Sequence, residues 1–284
     1  MCVVADKGMQ LIILYLSKPV YTALMNKDEL SQKYFQLQQD YWLGFWAPVF
    51  VETAFGKIMP LFPGQSGTLL FQCDLEAGYS YEEIMRVTDQ TADRYFGAPG
   101  FYFTSGWSGD VAGFQNYISE QGYKRSVLLQ SYALNLDKVK ISESELLDVR
   151  FADSPEEYAA LYQRCFAAGD IERQRVQYMV ERPLNRTQNA FLYAVEKENG
   201  QPVGVVACSW QDGLGYYHLL GVLPEYRRKG YGTVLTSDVV SFLNEEQGCQ
   251  FITTTSRNDA DGAAILHQSL GLTHFEDWEI WTKT

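Results

Sequence analysis

The chain has 284 residues, enough for one large domain or two ordinary ones, and its 46% hydrophobic content is typical of a folded protein. Its formal net charge of −12 argues against a nucleic-acid-binding groove, which needs a basic face. Five scattered cysteines without a Cys-x-x-Cys pair predict neither a disulfide framework nor a metal site, and favour a cytoplasmic protein. The apolar run 9–16 is too short to span a bilayer, so no membrane association is expected.

The first half of the chain predicts helices and strands in alternation. Asn26 followed by Glu29 predicts the start of a helix of about four turns with an aromatic end, and Ser80 followed by Glu83 predicts a second helix. The prolines between residues 48 and 63 interrupt regular structure. The charged segment 138–145 is the predicted linker. Further elements are predicted at 68–73, 101–104 and 125–136 (strands) and 111–121 (helix).

The second half predicts a similar alternation. Ser154 before Pro155 predicts a helix start, and Asn199-Gly200 predicts a hairpin turn. Strands are predicted at 146–152, 191–197, 203–209, 216–222, 251–255 and 274–282, and helices after residue 154 and at 171–181, 233–243 and 262–270.

A basic, glycine-containing loop stands between strand 216–222 and helix 233–243. Its glycines, Gly230 and Gly232, allow the backbone to curl and approach a ligand, and a helix start offers free N–H groups to an anion. The loop therefore predicts a phosphate site. It lacks the Gly-Lys-Ser/Thr ending of a P-loop, and Leu235 stands where a Rossmann fingerprint needs a third glycine.

The pattern Arg227-x-x-Gly230-x-Gly232, after Val222-x-Pro224, resembles motif A of the GNAT superfamily of acetyl-CoA-dependent N-acyltransferases. The resemblance implies an α+β fold, with a mixed, mostly antiparallel sheet flanked by helices and a bulged strand before the loop. It implies a catalytic domain at 146–284, acetyl-CoA as cosubstrate and no metal. It implies contacts with coenzyme A at Leu220, Gly221, Val222, Arg227, Arg228, Lys229, Gly230, Tyr231, Gly232, Thr233 and Asn258.

The two halves contain matching units of strand, polar loop, helix and long strand. The glycines that close the two helices, Gly122 and Gly271, are separated by 149 residues (271 − 122 = 149). We therefore predict that residues 1–140 form a degenerate GNAT-like domain, giving a tandem. At this offset the copy of the phosphate loop falls at 75–86, which keeps Gly78 but has no basic cluster. The alternative is chance recurrence of a common unit.

Two histidines are candidates for acid–base work. His218 lies on the strand before the loop, where some family members have a base, and an ordinary imidazole pKa of about 6.5 suits this role at neutral pH. His267 stands where family members commonly have a tyrosine that acts as the general acid. The alternative for His218 is a histidine packed within the sheet.

The expected activity is direct acetyl transfer to a primary amine, either of a small molecule or of a peptide N-terminus. Two other functions are open: a non-catalytic acyl-CoA-binding sensor, and a tandem acyltransferase resembling mycothiol synthase, in which both halves line one cleft. Homodimerisation through the aromatic first half is also open.

Overall fold

A computed structural model describes residues 25–62, 67–136, 147–181, 188–258 and 262–283. We call residues 25–136 the N-terminal half and 147–283 the C-terminal half. The predicted linker at 138–145 and the apolar run at 9–16 lie outside the described residues, so the domain boundaries at 140 and 146 stay predictions. No helix in the described ranges is long and apolar enough to cross a membrane.

The helices begin at the predicted caps. The Asn26 side chain accepts a hydrogen bond from the Glu29 N–H (2.9 Å), and Ser80 and Glu83 form a complete capping box. The helices in the described residues are α1 (Lys27–Phe45), α2 (Tyr81–Arg94), α3 (Val111–Glu120), α4 (Pro155–Phe166), α5 (Asp170–Glu181), α6 (Tyr231–Ser241) and α7 (Ala263–Ser269).

The strands in the described residues are β1 (Val51–Glu52), β2 (Gly56–Pro60), β3 (Thr68–Asp74), β4 (Pro99–Phe103), β5 (Trp107–Ser108), β6 (Tyr123–Asn135), β7 (Leu147–Phe151), β8 (Gln188–Glu196), β9 (Pro202–Gln211), β10 (Leu214–Val222), β11 (Phe251–Arg257) and β12 (Thr273–Lys283). Sequence analysis missed β1, β2 and β5. Two of these have only two residues. β2 ends on Pro60, and a proline is tolerated at the end of a strand because its missing N–H removes no hydrogen bond from within the ladder.

The strands form one sheet in the order β1-β2-β3-β4-β12-β6-β11-β10-β9-β8-β7, with β5 beside β3. The halves repeat one another: β3 and β4 pair in parallel around α2, as β10 and β11 do around α6. In the described part of the chain, the other ladders between neighbours along the main sheet are antiparallel. The predicted α+β fold with two GNAT-like halves is therefore confirmed.

The last strand of each half pairs with the other half. β6, from the N-terminal half, lies against β11, while β12 lies against β4, and the two strands pair with each other at the centre. Trp278 of β12 is only 1% exposed and stacks 4.9 Å from the Tyr34 ring in α1, among Phe35, Trp42 and Tyr102. This exchange of strands couples the halves, and sequence analysis did not predict it.

Replacing Trp278 with Ala is expected to lower the unfolding free energy by about 3–5 kcal/mol, the usual range for removing a buried large aromatic ring. Urea denaturation followed by circular dichroism measures it. Ile265→Ala is the control, because Ile265 is 73% exposed and its loss should change stability by less than about 0.5 kcal/mol. Equal effects of the two variants would show that β12 does not join the halves energetically.

Candidate active site

The pairing of β10 changes partway along the strand. β10 runs parallel to β11 only over residues 214–216. On its other side it continues along β9, but the register shifts between His218 and Gly221. Leu219 adopts a left-handed φ of 52° in this bulge. Within the described ranges, the edge of β10 that faces β11 is therefore left without a ladder partner over residues 218–222.

The bulge distributes its side chains among three environments. His218 and Leu219 both line a cavity on the α1 side, which ordinary strand alternation would not allow. Leu220 and Val222 pack into the apolar cluster beneath α6. Gly221 faces α4, where an added Cβ would lie 2.6 Å from an aromatic ring. The bulge that the resemblance implied is thus present in this segment.

The loop after β10 curls and leaves its amides free. Arg228 and Gly230 have φ angles of 61° and 84°, and α6 begins at Tyr231 without a capping side chain. Val234 N–H donates to the Gly230 carbonyl at 3.1 Å. Across the described parts of the chain, the N–H groups of residues 228–233 have no hydrogen-bond acceptor. Free donors at the positive end of a helix favour an anion.

Two predicted cofactor contacts serve the fold through their side chains. The Arg227 guanidinium donates to the carbonyl of Val222 (3.0 Å) and to that of Cys165 (2.6 Å), which ties the loop to the end of α4. The Tyr231 hydroxyl donates to the Glu196 carboxylate. Sequence analysis treated Arg227 as one of three equivalent cations, but its guanidinium is already engaged with backbone.

The remaining loop residues are open to solvent. Arg228 is exposed and makes no side-chain hydrogen bond or ion pair with any described residue. Lys229 Nζ lies 5.2 Å from the centroid of the Tyr226 ring. Thr233 is exposed, and a Cβ added to Gly232 would make only ordinary contacts, none closer than 3.6 Å. Two cations therefore flank the free amides.

The N-terminal half differs from the C-terminal half at the equivalent positions. Gly78 keeps a left-handed φ of 87°, but the first turn of α2 is capped by Ser80 and carries Glu82 and Glu83, which repel an anion. The edge of β3 that corresponds to the open edge of β10 is paired with β5. In its described part, this half therefore has the same strand–helix–strand arrangement without an open strand edge or an uncapped helix start at these positions.

A cavity of about 390 Å³ lies beside the bulge, between α1 and the sheet. Both halves line it, and β2, β3, β6 and β12 contribute aliphatic side chains. Its aromatic lining includes Tyr41 and Trp42 of α1, Trp46 just after α1, Tyr102 of β4, and Tyr216 and His218 of β10. The sequence predicts an aromatic end for α1, but the pattern of α1 alone carries no signal that the helix lies over β10.

His218 is deeply buried beside this cavity. Its ring stacks on Tyr216 (5.1 Å between centroids), lies 4.2 Å from Tyr41 and places Nε2 3.4 Å from Ser209 Oγ. Nδ1 has no partner in the described part of the chain. Burial lowers the pKa of His218 to about 3, so the expectation of an ordinary value is wrong.

His267 lies on the other face of the sheet. Its Nδ1 is 2.8 Å from the Tyr217 hydroxyl, and burial lowers its pKa to about 4. Because Tyr217 and His218 are consecutive in β10, they point to opposite faces, and the two histidines do not share one pocket.

Asn258 is exposed just beyond β11, where its N–H donates to the Leu128 carbonyl at 3.0 Å.

Comparisons with known proteins agree with this geometry. Residues 155–272 match the model of the Acetyltransferase (GNAT) family. A curated acetyltransferase of Yersinia pestis (strain Pestoides F) is 32% identical over 91 residues, covering 32% of this chain and 62% of the relative. The aligned segment thus spans less than two thirds of that relative.

Solved structures share the fold over most of the chain. A GCN5-related N-acetyltransferase from Kribbella flavida has a TM-score of 0.65 at 14% identity, covering 92% of this chain and 96% of that one. A tandem GNAT protein from the clavulanic acid biosynthesis pathway has a TM-score of 0.62 at 16% identity, covering 86% of each chain. At such identities the likeness shows the fold.

The buried histidines predict a loss of stability at mildly acid pH. The pKa values of His218 and His267 are lowered in the folded protein, so below about pH 6.5 the unfolded chain takes up protons that the folded chain does not. Well above pH 6.5 neither state takes up these protons, so the histidines do not lower the unfolding free energy there. Between pH 6.5 and 5.5 we expect the two together to lower the unfolding free energy by about 2 kcal/mol. Urea denaturation at each pH measures this change.

The matched control is the double variant His218→Gln with His267→Gln, which should show a shallower pH dependence over the same interval. A parent protein whose unfolding free energy stays constant from pH 6.5 to 5.5 would contradict the burial of neutral imidazoles.

Proposed function

We propose that this chain, in which residues 155–272 form a domain of the GNAT acetyltransferase family, transfers an acetyl group from acetyl-CoA to a primary amine. The proposal is supported by two features that lie together at the end of β10. One is a strand edge that has no ladder partner among the described residues, and the other is a loop whose N–H groups are free. Together they would hold an extended amide-containing chain and its diphosphate.

The residues present fit coenzyme A. The free N–H groups of residues 228–233 would donate to the diphosphate, with Arg228 and Lys229 supplying positive charge. The open edge at Leu220 and Val222 would pair with the amide-containing arm as a neighbouring strand does. Arg227 positions the loop, and Asn258 stays a predicted contact.

Acetyl-CoA supplies a thioester: the amine nitrogen bonds to its carbonyl carbon, the carbon–sulfur bond breaks, and a proton passes from nitrogen to sulfur overall, leaving an amide and a thiol. In our proposal an N–H of the bulge donates to the carbonyl oxygen. His267 accepts from Tyr217 at Nδ1, which leaves Nε2–H to donate a hydrogen bond to the departing thiolate, and the sulfur then takes its proton from solvent. Burial raises the pKa of Tyr217, so its hydroxyl remains a donor.

His218 is the proposed base. With its lowered pKa the imidazole is neutral at physiological pH, so Nδ1 can accept a hydrogen bond from the amine. So weak a base does not deprotonate an ammonium with a pKa of about 10. The amine therefore reacts after losing its first proton to solvent, and His218 takes the second as bond formation makes the nitrogen acidic.

The cavity favours one form of this function. Its lining comes from both halves, as expected of a tandem acyltransferase in which both halves shape one acceptor cleft. We therefore place the acceptor between α1 and β10. We also place the enzyme in the cytoplasm, since no disulfide joins any of the described cysteines.

A thiol-release assay tests the proposal. Protein, acetyl-CoA and a panel of amines are incubated, and free coenzyme A is measured. We expect release that depends on an amine. Tight binding of acetyl-CoA without release by any amine would instead indicate a non-catalytic acyl-CoA-binding protein.

Arg228→Ala should weaken acetyl-CoA binding about ten- to a hundredfold, because a hydrogen bond to a charged group contributes about 1.5–3 kcal/mol. Adding Gly230→Ala should weaken it further, since its φ of 84° strains any residue with a Cβ. Calorimetric titration measures the affinity. Lys124→Ala, an exposed cation on β6, is the control, and an Arg228→Ala protein that binds like this control would contradict the assignment.

His218→Ala should lower turnover by about a hundredfold or more, the usual contribution of an acid–base group, with little change in acetyl-CoA affinity. Steady-state kinetics and calorimetry separate the two effects. His274→Ala is the matched control, because His274 lies on the surface beside Asp277. Retained turnover in His218→Ala would move the base elsewhere.

A further inference from the structure

Two buried polar side chains line the cavity between the halves, and each has a nitrogen that makes no hydrogen bond of ordinary geometry with a described residue. Gln38 is 3% exposed; its amide interacts electrostatically with the Tyr216 hydroxyl, but its Nε2 makes no such bond. His218 is 7% exposed, and its Nδ1 lacks a partner. An unpaired buried polar group destabilises the folded protein, so these atoms mark where a ligand would bond.

The two nitrogens need different hydrogen-bond partners from a ligand. Gln38 Nε2 is a donor and needs an oxygen or another acceptor. In the tautomer that the proposed base requires, His218 Nε2 carries the hydrogen and donates to Ser209 Oγ, which leaves Nδ1 to accept a hydrogen from a ligand. A ligand that satisfies both atoms therefore carries an N–H and an accepting oxygen.

The walls restrict the rest of the ligand. Aromatic rings from α1, β4 and β10 give flat apolar surfaces suited to a ring or a compact apolar group. Among the described lining residues, Arg257 is the single charged side chain and no carboxylate is present. A polycation would lose water without gaining a counter-charge. The volume of about 390 Å³ suits a small molecule.

Resting on the proposed function, we infer that the acceptor is a monoamine with a flat or compact apolar body and one hydrogen-bond-accepting oxygen, placed between His218 Nδ1 and Gln38 Nε2. Aminoglycosides and polyamines are then poor acceptors. Gln38 is a specificity-determining residue of the acceptor site, contributed by the half that lacks the phosphate loop.

Kinetics with four amines test this inference: phenylalaninamide, phenethylamine (which lacks the oxygen), spermidine and kanamycin. We expect kcat/KM to be about tenfold higher for phenylalaninamide than for phenethylamine, and the two polycations to lie at least a hundredfold below phenylalaninamide. Gln38→Leu should bring the phenylalaninamide-to-phenethylamine ratio close to one without changing KM for acetyl-CoA. Gln36→Leu, an exposed glutamine on the same helix, is the matched control.

Binding is measured separately through tryptophan fluorescence, because Trp42 and Trp46 line the cavity. If phenylalaninamide binds but no thiol is released, the result supports the inferred chemical class of the ligand and contradicts the proposed acetyl transfer. A preference for spermidine or kanamycin, an unchanged ratio in Gln38→Leu, or no binding of either aromatic amine would overturn the inference. If Gln38→Leu does not fold, Gln38→Asn, which draws the amide back by one methylene, replaces it.

Discussion

The site depends on a strand edge that the fold leaves unsatisfied. Backbone N–H and C=O groups in a sheet normally pair, and β10 loses its parallel neighbour after residue 216 while bulging against β9. In the N-terminal half the equivalent edge is covered by β5, and the helix start is capped by Ser80. One arrangement of strands and helix therefore occurs twice, and among the described residues only the C-terminal copy combines an open strand edge with a loop of free amides.

The exchange of β6 and β12 explains how both halves meet at one cavity. With these two strands at the centre, the sheet is continuous, and α1 of the N-terminal half lies over β10 of the C-terminal half. Tyr41 then contacts the His218 ring directly. The N-terminal half supplies most of the aromatic wall of the cavity, so in the function we propose it shapes the acceptor site.

Sequence reasoning predicted what local chemistry determines. Helix starts at Asn26, Ser80 and Ser154 follow from side chains that bond to nearby amides, and the curl at Gly230 follows from the absence of a Cβ. What it missed depends on distant packing. The lowered pKa of His218 arises from burial beneath α1, the engagement of Arg227 arises from the end of α4, and the exchange of β6 and β12 cannot be read from two strands with similar patterns.

Amide hydrogen exchange with and without acetyl-CoA is the most direct measurement of the central claim. When acetyl-CoA is bound, we expect slower exchange in peptides covering residues 217–234, where the open edge and the free loop amides lie. We expect no change in peptides covering 75–86, the corresponding segment of the other half. Unchanged exchange at 217–234 under saturating acetyl-CoA, or protection at 75–86 instead, would contradict it.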